Sequence, residues 1–295
     1  MAVIGDTLLL AYSEADGMTI TGNSTATSMP ISYLFKPQPS DVARFTSLDP
    51  RIVIDRGSTR AATGIKMRAL YAHKILQQSL HGSGDTEFGM TFRVRTATSE
   101  ADLTAAPAYD SGTLDLFVNN AQPSYMDWWP AGSYHNWFFA FPDGDGLDAQ
   151  WLRIDFDMVG DSSGSYVDIS RLLVLADDTF IQPITNPTYP LSGSRVESVQ
   201  IEETPGGVRV PSPSYGRRKR GGSWGWLTAN EAEQAESFIA ARGLSRDVLV
   251  WPFPTETTGQ NNRLYSCYGL LSSWNGPTMN SYPETALDFE VEELR

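Results

Sequence analysis

Apolar and polar residues alternate with a period of two along much of residues 1–190, which is the pattern of half-buried β-strands. The alternation is clearest at 51–55, 65–71, 88–95 and 152–157, where arginines or carboxylates would lie opposite the apolar face. Stretches rich in glycine, serine and aspartate, such as 82–85 and 160–164, separate these segments as turns. Many short strands spaced in this way predict a two-sheet β-sandwich or jelly roll.

One segment near the C-terminus has helical periodicity instead. Thr228 and Glu231 are spaced as a capping box, in which each side chain accepts a hydrogen bond from the other residue's backbone amide. The apolar residues that would share one face of this helix are Ala232, Ala235, Phe238 and Ile239. Gly243 supplies the stop after Arg242. We therefore predict a helix between Thr228 and Gly243 that is held mainly by packing on a sheet.

Strand patterns surround this helix. The segment 223–227, with Trp224 and Trp226, precedes it, the apolar stretches 248–254 and 264–274 follow it, and residues 286–294 alternate. Upstream, the prolines at 183, 187 and 190 are unsuited to a central strand and indicate a linker. The chain is therefore predicted to be mainly β, with a β-sandwich domain over 1–190 and a β-rich domain with one packed α-helix over 191–295.

Aromatic residues are dense between positions 125 and 141. In the stretch 137–141 both faces of a strand would be apolar, which predicts burial on both sides, in a core or at an interface. Trp128 and Trp129 precede that strand and are the best candidates for an exposed contact surface. Such a surface could stack on a sugar ring or contact a protein partner.

Charge and cysteine content limit the classes of partner and compartment. The formal net charge of −13 disfavours binding of nucleic acid or anionic lipid by the surface as a whole. Cys267, the one cysteine, lies in an apolar stretch and is expected to be a buried structural thiol, with no intrachain disulfide possible. No stretch has the length of a membrane span or the form of a signal peptide, so we expect a soluble protein made in a cytoplasm.

The sequence carries no recognisable catalytic or cofactor motif. His73, His81 and His135 follow no metal-ligand spacing, and the serine-elbow, phosphate-loop and zincin motifs are missing. The acidic stretch 143–148, with Asp143, Asp145 and Asp148, could bind calcium, but an acidic turn between strands explains it equally well. We therefore expect no cofactor, no metal and no enzymatic activity.

Four adjacent positive residues, Arg217, Arg218, Lys219 and Arg220, form a basic run between turn-forming residues. Such a run could bind phosphate or DNA. It contains none of the interleaved aromatic residues that stack on single-stranded nucleic acid. We expect instead a loop that contacts a second copy of the chain, with Glu290, Glu292 and Glu293 as its acidic counterpart.

Two parts of the chain resemble known families. The order of the aromatic strand 223–227, the capped helix, the strands 248–254 and 264–271 and the alternating C-terminal strand is similar to the tail-tube-like domain of bacteriophage distal tail and tail-tip proteins. Residues 151–156 and 166–172 resemble the last strands of the galactose-binding-like (discoidin-type) sandwich. Residues 51–57 and 65–73 resemble the paired middle strands of that sandwich.

These resemblances imply a structural virion protein at the tail tip of a long-tailed phage, most simply the distal tail protein. They imply a homo-oligomeric, hexameric ring that contacts the tail tube protein, the baseplate hub and the tape-measure protein, with the sandwich outside. An alternative is a carbohydrate-binding tail protein that recognises a host-surface glycan through the sandwich. A tail-associated glycan hydrolase is a third possibility. Neither membrane association nor specific nucleic-acid binding is expected.

Overall fold

The fold was determined as a computed structural model. It describes residues 7–47, 49–78, 90–115, 135–142, 148–158, 166–183, 192–196, 200–203, 209–212, 217–243, 246–253, 266–281 and 284–294.

The described residues form mainly β-strands, as predicted. In chain order the strands are β1 Leu9–Ala11, β2 Thr19–Gly22, β3 Ala43–Phe45, β4 Arg51–Asp55, β5 Met67–Gln78, β6 Met90–Ala97, β7 Tyr109–Asp110, β8 Leu114–Asp115, β9 His135–Ala140, β10 Trp151–Met158, β11 Tyr166–Ala176, β12 Phe180–Ile181, β13 Ser192–Val196, β14 Gln200–Glu203, β15 Arg209–Ser212, β16 Arg217–Leu227, β17 Asp247–Trp251, β18 Cys267–Ser281 and β19 Glu284–Glu293. The helices are α1 Ser58–Ala62, α2 Asp102–Ala105 and α3 Ala229–Arg242, and Ile31–Phe35 forms a 3₁₀ turn.

Three antiparallel sheets carry the fold. The outer sheet has the strand order β2-β4-β10-β6-β7, with β8 also paired to β6. The central sheet has the order β3-β11-β5-β9, and the C-terminal sheet the order β12-β1-β17-β18-β19-β16-β13. Strands β14 and β15 form a separate two-stranded sheet.

The outer and central sheets enclose the first hydrophobic core. Ile52, Val94 and Ile154 of the outer sheet pack there against side chains such as Leu70 and Ile169 of the central sheet. The alternation in β4, β6 and β10 places their arginines and aspartates on the opposite face, as the sequence predicts. The predicted β-sandwich is thus confirmed.

The central sheet is buried on both faces, which differs from the half-buried strand expected at 65–71. Leu70 of β5 faces the outer sheet, whereas Ala69 and Tyr71 pack with Leu249 and Trp251 of the C-terminal sheet in a second core. The two-sided burial expected for 137–141 is confirmed by β9. There Trp137 belongs to the first core and Phe138 packs against the second.

Helix α3 covers the remaining face of the C-terminal sheet, where Ala235 and Phe238 join a third core. Thr228 and Glu231 form the predicted capping box, and the Gly243 amide donates to the Ile239 carbonyl at a φ of 71°. The molecule is therefore a stack of four layers: outer sheet, central sheet, C-terminal sheet and helix.

The sheets do not divide at residue 190, where the sequence places the domain boundary. Strand β1 lies inside the C-terminal sheet, with Leu10 paired to Val250 of β17 on one side and to Ile181 of β12 on the other. Both β1 and β12 come from the N-terminal 190 residues, so the second core joins the two predicted domains. Among the described residues, no helix has the length and apolarity needed to span a membrane.

Candidate binding cleft

A cleft of about 910 Å³ separates helix α3 from the turn that joins β11 to β12. The residues that line it are Tyr12, Asp177, Asp178, Phe180, Ile181, Gln182, Asn230, Glu233, Gln234, Ser237, Phe238 and Ala241. The set combines carboxylates, amides, a hydroxyl and aromatic rings. The volume of the cleft is within the range found for small-molecule sites.

One wall of the cleft is fixed by arginines behind it. Arg60 donates two hydrogen bonds to the Asp178 carboxylate, at 2.8 and 2.5 Å, and a third to Glu14. Hydrogen bonding to Asp178 raises the pKa of Arg60 above its ordinary value, although burial opposes that shift. Arg68 donates to Asp177 at 2.5 Å. These pairs hold the two carboxylates in place at the cleft.

The opposite wall is the polar face of α3. Asn230, Glu233, Gln234 and Ser237 are exposed on this face, one helical turn after another. Phe238 lies beneath them at 5% exposure, with its ring 5.2 Å from that of Tyr12. Because of the helical period, the apolar side of α3 faces the core and its side-chain amides face the cleft.

Tyr12 joins the two walls. Its hydroxyl donates to the Asp178 carbonyl at 3.3 Å, and its backbone amide donates to the Thr179 carbonyl at 3.0 Å. The Thr179 hydroxyl in turn accepts from the Ala176 amide at 2.8 Å and so tightens the turn. The aromatic ring of Tyr12 is thus held against the carboxylate-bearing turn.

The lining suits an uncharged ligand rich in hydroxyl groups. Carboxylate and amide oxygens accept hydrogen bonds from hydroxyls, amide nitrogens donate to them, and the rings provide apolar faces. Asp177, Asp178 and Glu233 would repel an anion. Over the ranges that the structure describes, no group of three or more acidic, histidine or cysteine side chains could hold a metal ion.

The basic run and the acidic residues predicted as its counterpart lie side by side in one chain. The run was expected to be a loop. Instead it forms the first four residues of β16, Arg217–Arg220, and β16 pairs with β19. The ion pairs are Arg217 with Glu292 at 3.1 Å, Arg218 with Glu293 at 2.8 Å and Lys219 with Glu290 at 3.0 Å. The loop expectation was wrong because adjacent carboxylates neutralise the run and allow it to form a strand.

These ion pairs also perturb the groups that form them. Hydrogen bonding to Glu290 raises the pKa of Lys219, and hydrogen bonds from Ser272 and then Lys219 lower the pKa of Glu290. Since the charges are compensated within the chain, a contact between copies through Arg217–Glu292 pairs would require exchange of partners. The interface itself stays a prediction.

The structure describes only some of the other positions that the sequence analysis singled out. Trp128, Trp129 and residues 143–147 lie outside the described residues, and Asp148 is exposed. His73 is buried, with Nδ1 2.8 Å from the Tyr71 hydroxyl, which agrees with a structural role. Cys267 is buried as expected, and burial raises the pKa of its thiol to about 12.

Sequence reasoning missed the cleft. Its walls come from residues 12, 177–182 and 230–241, which only the tertiary structure brings together. Two local signals point to it. Asp177-Asp178 forms an acidic turn directly after β11, a long strand that is buried over nearly its whole length, and α3 carries uncharged Asn230, Gln234 and Ser237 on one face.

Comparison with known proteins gives only partial likenesses. No family model matches the chain, and no curated protein does. Among solved structures, a family 32 carbohydrate-binding module from C. perfringens NanJ in complex with galactose has a TM-score of 0.35 and 12% identity, over 56% of this chain and 98% of that one.

Two further modules of this kind align similarly. That of AlyQ, in complex with 4,5-unsaturated mannuronic acid, has a TM-score of 0.32 and 16% identity over 53% of this chain and 93% of the module. CpGH89CBM32-4, produced by Clostridium perfringens, has a TM-score of 0.30 and 9% identity over 55% of this chain and 98% of the module. At these scores the likeness assigns the chain neither a family nor a ligand.

Proposed function

We propose that this protein is a non-catalytic carbohydrate-binding protein and that the cleft beside α3 is its glycan site. The observation that carries the proposal is the composition of the cleft, where Tyr12, Asp178, Asn230 and Gln234 place a ring, a fixed carboxylate and two amides around one volume. This set can hydrogen-bond the hydroxyls of a neutral sugar and contact its apolar face.

The same geometry argues against catalysis as the role of the cleft. Both oxygens of Asp178 accept hydrogen bonds from Arg60, and Asp177 accepts from Arg68. A glycoside hydrolase needs two carboxyl groups across the scissile bond, one of them available as a proton donor. Asp177 and Asp178 instead share one wall and are occupied by arginines, which suits binding better than proton transfer.

The proposal is tested on a glycan array with the full chain and the variants Asn230→Ala, Gln234→Ala and Glu236→Ala. Glu236 is exposed on α3 outside the cleft and serves as the matched control. We expect binding of at least one neutral glycan, weakened about tenfold by either cleft variant, which corresponds to one lost hydrogen bond to a ligand hydroxyl. Failure to bind any neutral glycan, or equal binding by all variants, would overturn the cleft assignment.

Assembly into a phage tail tip remains a second candidate, although none of the likenesses above supports it. Strand β13 pairs only with β16 among the described residues, so it forms one edge of the C-terminal sheet. The two-stranded sheet β14–β15 is of a kind that is marginally stable alone, and Trp226 on β16 is 63% exposed. Exposed edges, isolated hairpins and exposed aromatic residues are features of chains that pair with partners.

In this second candidate the chain would form a homo-oligomeric ring at the tail tip of the virion. The ring would join the tail tube to the baseplate hub, and the sandwich would face outward. Mass photometry of the purified chain gives a direct test. A hexamer that dissociates on Trp226→Ala supports the ring, whereas a monomer at micromolar concentration argues against it.

A further inference from the structure

Trp226 of β16 is a large apolar side chain that the fold leaves in solvent. It is 63% exposed, and no other large hydrophobic residue within the described ranges is exposed. The next residue, Leu227, is buried in the third core beneath α3, and successive side chains of a strand point to opposite faces of a sheet. Trp226 therefore lies on the face of the C-terminal sheet that is turned away from α3.

Among the described residues, the central sheet covers only part of that face. The second core, between the two sheets, includes Trp251 of β17 and Tyr268 near the start of β18. Farther along, Asn275 of β18 and Asp288 of β19 are exposed. The area formed by β16, β19 and the second half of β18 is thus open to solvent beside Trp226.

A row of hydrogen-bonding side chains crosses this open area. Asp288 lies directly opposite Ser223 of β16 on one side and directly opposite Asn275 of β18 on the other. All three point away from α3, because their neighbours along each strand pack in or against the third core. Side chains directly opposite each other in an antiparallel sheet have Cβ atoms about 5 Å apart. The row therefore presents a hydroxyl, a carboxylate and an amide side by side.

The other charged groups on this face compensate one another. Lys219 pairs with Glu290 at 3.0 Å and with Glu292 at 3.6 Å, and Arg217 pairs with Glu292 at 3.1 Å. Within the described ranges no ion pair includes Asp288, so its oxygens are available to a ligand. The five side chains together carry one negative charge, which disfavours an anionic ligand. Hydroxyl groups suit the row better, since they can donate to a carboxylate and both donate to and accept from an amide.

The sheet is deformed on both sides of β19 at the level of Trp226. Between Trp224 and Leu227, β16 has one residue more than the stretch of β19 with which it pairs. Between Asn275 and Thr278, β18 also has one residue more than β19. Such β-bulges redirect side chains and are frequent next to functional sites. Two of them at one level point to a role for the exposed indole.

We propose that Trp226 and the row Ser223, Asp288 and Asn275 form a second glycan site, which binds internal units of a linear neutral polysaccharide. The inference rests on the proposed function, in that the protein binds carbohydrate, and it adds to the cleft a site on an open sheet face. The indole stacks on the apolar face of one sugar unit, and the row hydrogen-bonds the hydroxyls of a neighbouring unit. Ser223 is three residues from Trp226 along β16, a distance of at most about 10 Å.

Affinity electrophoresis of the full chain tests this site, in native gels that contain galactomannan, mixed-linkage β-glucan or arabinoxylan. The variants are Trp226→Ala, Trp226→Leu, Trp226→Phe and Asn275→Ala. The control is Arg217→Gln, which changes an exposed residue on the same sheet face near the other end of β16. Because Trp226 is exposed, its replacement should leave Tm unchanged.

We expect at least one of the three polysaccharides to retard the unmodified chain. The dissociation constant should rise about tenfold in Trp226→Ala and in Trp226→Leu, which lack an aromatic face, and by a smaller factor in Asn275→Ala. Trp226→Phe keeps a ring and should retain most of the affinity, and Arg217→Gln should bind as the unmodified chain does.

The outcomes separate this site from the cleft and from a subunit contact. Absence of retardation in all three gels would overturn it, as would equal retardation of Trp226→Ala or Trp226→Leu and the unmodified chain. If mass photometry shows an oligomer that Trp226→Ala dissociates while retardation is unchanged, Trp226 is a subunit contact and the inference fails. Array binding that Gln234→Ala weakens, without retardation in the gels, supports the cleft and refutes this site. Retardation that Trp226→Ala abolishes and Gln234→Ala does not, with no glycan bound on the array, gives the reverse.

Discussion

Replacement of Asp247 by asparagine tests whether the sandwich and the C-terminal sheet act as one folding unit. Asp247, on β17, is 3% exposed and accepts hydrogen bonds from Arg171 of β11, at 2.8 and 3.1 Å, and from the Tyr268 hydroxyl at 2.9 Å. Arg171 is fully buried, and within the described ranges its other acidic partner is Asp16 at 2.6 Å. This cluster lies at the second core, where the central sheet meets the C-terminal sheet.

The expected loss follows from the burial of Arg171. Removal of one partner from a buried ion pair costs about 3–5 kcal/mol, because the other charge stays buried. Asparagine still accepts a hydrogen bond from Tyr268, and Asp16 still compensates part of the Arg171 charge. We therefore expect a loss at the lower end of this range, about 3 kcal/mol. With an unfolding entropy of about 2 cal/mol/K for each residue, that loss lowers Tm by about 5 °C for a chain of this length.

Differential scanning calorimetry at pH 7 measures this shift. We expect a single transition in both proteins, moved downward as a whole in Asp247→Asn. Arg217→Gln, which breaks an exposed pair, should cost less than about 0.5 kcal/mol. The double variant Arg171→Met, Asp247→Leu should recover most of the loss, since apolar residues can replace a buried ion pair. If Asp247→Asn shifts Tm no more than Arg217→Gln, the cluster does not join the layers.

Three further predictions concern single positions. In Gly269→Ala the new Cβ would lie 1.9 Å from the Glu292 carbonyl oxygen, so we expect a loss of about 3 kcal/mol in urea unfolding. Gly276→Ala, whose one close contact among the described residues is the flexible Glu236 carboxylate at 2.8 Å, with Trp274 at an ordinary 3.9 Å, should lose less than about 1 kcal/mol, and equal losses would contradict the packing of β18 on β19. Because burial raises the pKa of Cys267 to about 12, a thiol reagent at pH 8 should modify the folded chain far more slowly than the chain in guanidinium; equal rates would show that the thiol is accessible. Arg93 lowers the pKa of Asp110 through a hydrogen bond, and arginines also lower that of Asp155 against its burial. Both groups therefore stabilise the fold above their unfolded pKa of about 3.8, and that stability disappears as the pH falls through their lower folded values. Tm should thus drop below about pH 4, and less steeply in Asp155→Asn; a flat profile from pH 5 to pH 2.5 would refute this.

Local patterns in the sequence predicted most of the elements. The period-two alternation placed Ile52, Ile54 and Leu152 on a buried strand face, and the structure confirms it. The Thr228 capping box and the Gly243 stop predicted α3 within one or two residues of its observed ends. These signals are readable because they depend on neighbours within a few positions of the chain.

The sequence indicated which acidic residues could neutralise the basic run, but not how the strands bring the two sets of charges together. The sequence named Glu290, Glu292 and Glu293 of a second copy as partners of the basic run at 217–220, whereas the ion pairs in the structure join these residues within one chain, between β16 and β19. Composition shows that opposite charges are available. It does not show whether two strands of one copy or of two copies bring them together, because pairing depends on sheet order.

The sequence by itself determined the mainly β fold class, the long helix α3 and which faces of β4, β6 and β10 are buried, since these follow from periodicity and capping. The tertiary structure alone decided that β1 joins the C-terminal sheet, that the central sheet is buried on both faces, and that the layers form a four-part stack. It also decided the proposed cleft. The cleft joins residues 12, 178 and 230 through contacts between distant segments. Such contacts are set by strand order and layer packing, which no local pattern encodes.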